Sequence, residues 1–108
     1  MRGSTANWED GLVEKLRDPA FAKGYVEACL DEGVPLEEAL GDVVRAQGVT
    51  QVAKRAHLDR PNVIRALRPK ANPTLATLRR LLSGVGLELA VRPTKAAKRS
   101  RRRVGLAA

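Results

Sequence analysis

Proline and glycine punctuation constrains this chain more than any other feature. Asp18-Pro19, Gly33, Pro35, Gly48, Asp59 with Pro61, and Asn72-Pro73 recur at short intervals. Each is a start or stop signal for a helix, because proline suits the first helical turn and glycine the position after the last one. The segments between these signals carry apolar residues at helical spacing, so the pattern predicts a bundle of short helices. Only 3% of the residues are aromatic, namely Trp8, Phe21 and Tyr25. The core must therefore be assembled from Leu, Val and Ala, which disfavours an aromatic-rich β-sandwich and suits helices. With 108 residues, the chain is expected to form one domain, which buries roughly two-thirds of the surface exposed in the unfolded state.

Read in order, Trp8, Leu12, Val13 and Leu16 form the apolar stripe of a first helix. Asp18-Pro19 opens a second with Phe21, Ala22, Tyr25, Val26, Cys29 and Leu30 inward, and Gly33 ends it. Pro35 opens a third, with Leu36, Ala39, Leu40, Val43 and Val44 inward, closed by Gly48. Thr50 is placed to cap a fourth helix carrying Val52, Ala53 and Ala56, and Asp59 to cap a fifth carrying Val63, Ala66 and Leu67. Asn72-Pro73 predicts the start of a sixth with Leu75, Leu78, Leu81 and Leu82 inward. Leu87, Leu89 and Val91 then alternate with Glu88, Ala90 and Arg92, a strand pattern. A single strand leaves its backbone groups unpaired, so this segment argues for pairing with a second copy or with a partner's sheet edge. The expected fold is thus all-α, about six helices with a short C-terminal β-strand, over residues 1–93, followed by a basic disordered tail over 94–108 that holds six bases and no acid.

Charge is divided along the chain. Residues 1–44 hold ten carboxylates against four bases, a balance of −6, whereas residues 45–108 hold sixteen bases against Asp59 and Glu88 alone, a balance of +14. An acidic front and a basic rear suggest two binding surfaces, and the rear suits a polyanion, nucleic acid first and an anionic membrane surface second. No apolar run is long enough to span a bilayer and the first residues lack the apolar stretch of a signal peptide, so the chain reads as cytoplasmic. The single Cys29 and single His57 provide too few ligands for a zinc site and no base to activate a nucleophile. No metal, no cofactor and no catalysis are expected.

The stretch from Thr50 to Leu67 reads as a helix-turn-helix, in which a short second helix enters the major groove while the first crosses the backbone. Ala53 is small where the two helices cross, and Leu58, Val63 and Leu67 fill the wedge between them. Arg60, Pro61, Ile64 and Arg65 are then outward and face base edges, where a bidentate arginine reads guanine and Ile64 can touch a thymine methyl. Thr50, Gln51 and Asn62, with Arg68 and Lys70 in the following loop, are the candidates for phosphate.

The run GVTQVAKRAHLDRPNVIRALRPKANPTLATLRRLLSGVGLELAVRP, with LRDPAFAKGYVEACLDEG upstream of it, resembles the antidote proteins of HigA-like type II toxin-antitoxin addiction modules, which carry a helix-turn-helix of the Xre repressor type. The resemblance covers Trp8 to Pro93. It implies an antitoxin that works as a homodimer, binds its own operator DNA to repress transcription, and neutralises a small RelE/ParE-like toxin. Two positions depart from the family pattern. His57 stands at the turn position that is usually glycine, so it must adopt a left-handed conformation or open the turn. Pro61 stands where an acidic or polar residue is more common. A stand-alone repressor without a toxin, and a sequence-indifferent nucleic-acid or membrane-surface binder driven by the basic rear, are the alternative readings of the same residues.

Overall fold

The computed structural model describes residues 6–94. Six α-helices follow one another: α1 (Ala6–Leu16), α2 (Pro19–Asp31), α3 (Leu36–Gln47), α4 (Val49–Ala56), α5 (Arg60–Ala66) and α6 (Leu75–Gly84). The expected side-chain role of Trp8 and the expected basic tail after Thr94 lie outside the described residues.

The punctuation acts largely where the sequence places it. Asp18 caps α2, its carboxylate accepting from the Ala20 N–H at 3.2 Å, with Pro19 as the first helical residue. Gly33 follows the end of α2 with φ of 87°, and Pro35 and Gly48 bracket α3. Three starts differ from expectation. Asp59 precedes α5 in the extended geometry of a cap, but its side chain accepts no capping hydrogen bond. Gly48, rather than Thr50, is the residue before α4, and it offers no side-chain cap. The sixth helix begins at Leu75, capped by Thr74, whose hydroxyl accepts from the Thr77 N–H at 3.1 Å. Asn72 is unsuited to that role because it sits in the left-handed region at φ of 54°, whereas a cap requires the extended geometry that Thr74 adopts.

The core is aliphatic. Leu16, Val26, Leu40, Val43, Val44, Val52, Val63, Leu81, Leu82 and Val85 are buried, with Ala22, Ala39 and Ala53 filling the narrow approaches between helices. Helix α3 sits at the centre, packed on α1, α2 and α4, while α4 packs in turn on α5 and α6. Val13, Phe21, Leu30 and Leu75, expected inward, are exposed; the Lys15 ammonium lies 5.8 Å from the Phe21 ring centre. The alaninyl and glycyl character of the core permits close contact. A Cβ built on Gly84 at the end of α6 would lie 3.0 Å from the Val52 carbonyl oxygen and 3.2 Å from Ala56 Cβ on α4.

The expected C-terminal β-strand is corrected: among the described residues there is no strand. After α6 the chain turns at Gly86, φ of 91°, and the Leu87 N–H donates to the Leu82 carbonyl at 2.8 Å. Residues 88–92 then run without a hydrogen bond among the described residues. A ladder needs a second edge, and the six helices present none.

Candidate nucleic-acid interface

Helices α4 and α5 form the expected two-helix unit. Ala53 and Val63 are buried, and Leu58 and Leu67 are half-buried against the core. The turn between the helices is made by His57, which takes the left-handed conformation at φ of 58° and ψ of 43°. Its backbone N–H closes on the Lys54 carbonyl at 3.2 Å, and the Leu58 N–H reaches the Ala53 carbonyl at 2.9 Å, the crossed bonds that end a helix at a left-handed residue. Histidine has a Cβ, so this turn carries strain of about 1 kcal/mol that glycine would not have.

With Val63 inward, Arg60, Pro61, Asn62, Ile64 and Arg65 of α5 are all exposed. Arg65 Nη1 donates to Asn62 Oδ1 at 2.6 Å, so one of its five donors is engaged and the guanidinium is held along the outer face of the helix. Thr50 and Gln51 are exposed in the first turn of α4. There Gly48 supplies no cap, and the first-turn N–H groups have no partner within the helix. Arg68 and Lys70 are exposed in the loop after α5. That loop is tightly folded: the Ala71 N–H donates to the Arg68 carbonyl at 3.0 Å, and Lys70 and Asn72 both lie in the left-handed region. All nine candidate residues are therefore on the surface of one contiguous segment running from the start of α4 through the loop after α5.

Sequence reasoning missed the polar clasp behind this surface. Gln47, at the end of α3, donates from Nε2 to the carbonyls of Leu16 at 3.3 Å and Val85 at 3.1 Å. Arg55 of α4 donates from Nη1 to Gln47 Oε1 and to the Gly84 carbonyl, each at 3.3 Å, and Arg17 Nε donates to the Ala46 carbonyl at 3.2 Å. These bonds tie the ends of α1, α3 and α6 to α4. On the acidic side, Tyr25 donates to Asp42 at 2.5 Å and Arg45 to the same carboxylate at 2.8 Å. Burial, reinforced by the Asp42 carboxylate, holds the Tyr25 phenol well above its ordinary value near 10.

Two grooves flank residues 87–89. One, of about 670 Å³, is basic, with Arg55, His57, Arg79 and Arg80 in its wall. The other, of about 740 Å³, is apolar, with Val26, Leu30, Leu36 and Leu82 opposite the segment itself. Among the described residues no group of three or more His, Cys, Asp and Glu side chains could hold a metal ion. Among the described residues no helix is long and apolar enough to cross a membrane.

The profile of a family described as "Probable addiction module antidote protein" matches residues 9–93, from α1 through the whole of the two-helix unit to the segment after α6. The chain belongs to this family. A protein of Haemophilus influenzae described as "Uncharacterized protein" is 34% identical over 57 residues, which cover 53% of this chain and 59% of that relative. No solved structure matches. The antidote-family chain thus carries its two-helix unit and its clasp within the matched region.

Proposed function

We propose that this antidote-family chain is an antitoxin that binds its operator DNA through residues 50–67, represses its own module, and neutralises a RelE/ParE-like toxin. The observation that carries the DNA-binding part is the outer face of α5. Arg60, Asn62, Ile64 and Arg65 are presented together on a helix whose inner face is pinned by Val63, and Arg68 and Lys70 continue the exposed basic strip into the next loop. A helix of this kind laid in the major groove places Arg65 and Ile64 against base edges, while the uncapped start of α4, with Thr50 and Gln51, meets a phosphate whose charge is favoured by the helix dipole. The positive balance of residues 45–108 supplies the sequence-independent part of the affinity. The antitoxin acts as a homodimer, because two recognition helices about 34 Å apart match successive turns of the groove on one face of the duplex.

The test is titration of the chain against its own upstream DNA and against random duplex over a range of salt. A specific reader prefers its site by ~10³-fold or more. Equal affinity for both duplexes at every salt concentration would reduce the chain to a sequence-indifferent polyanion binder. Co-expression with the product of the adjacent reading frame tests the toxin. Rescue of growth supports the antitoxin reading, and a neighbour without toxicity leaves a stand-alone repressor.

A further inference from the structure

We propose that residues 88–92 of two copies pair as antiparallel strands about a two-fold axis at Ala90, making the homodimer interface. This deepens the operator-binding reading and rests on it for why two copies are needed; the pairing itself is argued from the segment. Residues 88–92 have no hydrogen bond among the described residues, although they follow directly on the core at Leu87. Leu89 is 42% exposed and Val91 is 100% exposed, and neither Glu88 nor Arg92 has an ion-pair partner among the described residues. Four residues of this stretch, Glu88, Leu89, Ala90 and Arg92, line the apolar groove together with Leu87. Neighbours in sequence from both side-chain faces border it together, as a backbone edge does and a single face does not.

The chain chooses both the edge and the register. In a strand, backbone groups at alternate residues point to the same edge. The Leu87 N–H is already donated to Leu82 within its own chain, and Pro93 has no N–H. The odd-numbered edge is therefore closed at both ends, and the edge formed by residues 88, 90 and 92 is open. Placing the two-fold at Ala90 makes Ala90 face its own copy and sets Glu88 opposite the second copy's Arg92, twice by symmetry. Leu89 then meets the second copy's Val91, so apolar side chains cover each other on one face while opposite charges meet on the other. A two-fold centred on Leu89 keeps the apolar face but opposes Glu88 to Ala90, losing both charge pairs. Ala90 is the smallest side chain of the segment and stands where the strands cross.

The experiment uses the full chain without DNA. The parent, Glu88→Arg and Arg92→Glu are examined by sedimentation velocity, alone and as an equimolar mixture, and the mixture by native mass spectrometry. The parent is expected to be a dimer. Each variant alone opposes like charges at both symmetric positions, and its dissociation constant should rise about tenfold or more. The mixture restores both opposite-charge pairs and should yield dimers with one chain of each kind in preference to either parent combination. A monomeric parent, unchanged dimerisation of the single variants, or random assortment in the mixture would each overturn the interface. The first of these would leave the segment for a toxin's sheet edge. Because no DNA is present, failure here is distinct from failure of operator recognition, which is read by the titration above.

Discussion

Replacing Gly84 by alanine tests how closely α6 is seated on the helix that supports the recognition surface. The added Cβ would lie 3.0 Å from the Val52 carbonyl oxygen, 3.1 Å from Val52 Cγ1 and 3.2 Å from Ala56 Cβ. Val52 and Ala56 are buried, at 0% and 2% exposure, so none of the three atoms is the free end of a flexible side chain. Overpacking of this kind costs roughly 1–3 kcal/mol. Against it stands the helix preference of alanine over glycine, at most about 1 kcal/mol in a helix interior and less at the last helical residue. The net expectation is a loss of about 1–2 kcal/mol. For a domain of this size that lowers the thermal midpoint by roughly 5–10 °C. Gly24, inside α2, is the control because an added Cβ there meets nothing within 4 Å. Gly24→Ala should raise the midpoint by a few degrees, through about 0.5–1 kcal/mol of backbone entropy. Thermal unfolding followed by circular dichroism measures both. If Gly84→Ala melts at or above the parent, the close seating of α6 on α4 is not a feature of the protein.

Other outcomes can be checked as directly. Arg65→Ala should cost about 1–3 kcal/mol on the operator and little on random duplex, as measured by fluorescence anisotropy; an equal loss on both makes Arg65 a phosphate contact. Removing residues 94–108 should flatten the logarithmic salt dependence of DNA binding by about 0.9 for each phosphate the tail had neutralised, with site preference unchanged. An unaltered slope shows that the tail is off the DNA. Tyr25 is the only tyrosine, so its ionisation can be followed by ultraviolet absorbance. Its folded-state value is raised by burial and by Asp42. The resulting stability is complete below pH of about 10 and declines as pH rises from there toward the folded value. Tyr25→Phe should abolish that alkaline decline in denaturant unfolding, and a decline that persists in the variant assigns it to another group.

Local chemistry is the legible part of this fold. Asp18 with Pro19, and Gly33, Pro35 and Gly48, act through their own backbone preferences, so their effect is readable without neighbours. The inward position of Val63 and the outward positions of Pro61 and Arg65 follow from helical spacing in the same way, whereas Arg60, three residues before Val63, is exposed because it opens the helix. What cannot be read depends on residues far apart in sequence. Gln47 gains its role from carbonyls 31 and 38 positions away, and nothing in the neighbourhood of Gln47 announces them. Asn72-Pro73 has the form of a helix start, but the left-handed turn at Asn72 moves that start to Thr74. The alternation from Leu87 to Val91 is real as a pattern, yet a strand is a relation between two edges, and this fold contains one.

The amide of Gln47 gives the molecule a particular mechanical character. One side chain holds the last turn of α1 and the residue after α6, and through Arg55 it reaches α4. Leu16 and Val85 lie in the first and last thirds of the sequence and Arg55 in the middle third, so an opening that parts the acidic half from the basic half has to break these bonds. Local openings that expose one half must break the same bonds as global unfolding. Amide protons at the end of α1 and in α4 should therefore exchange with solvent at similar free energies.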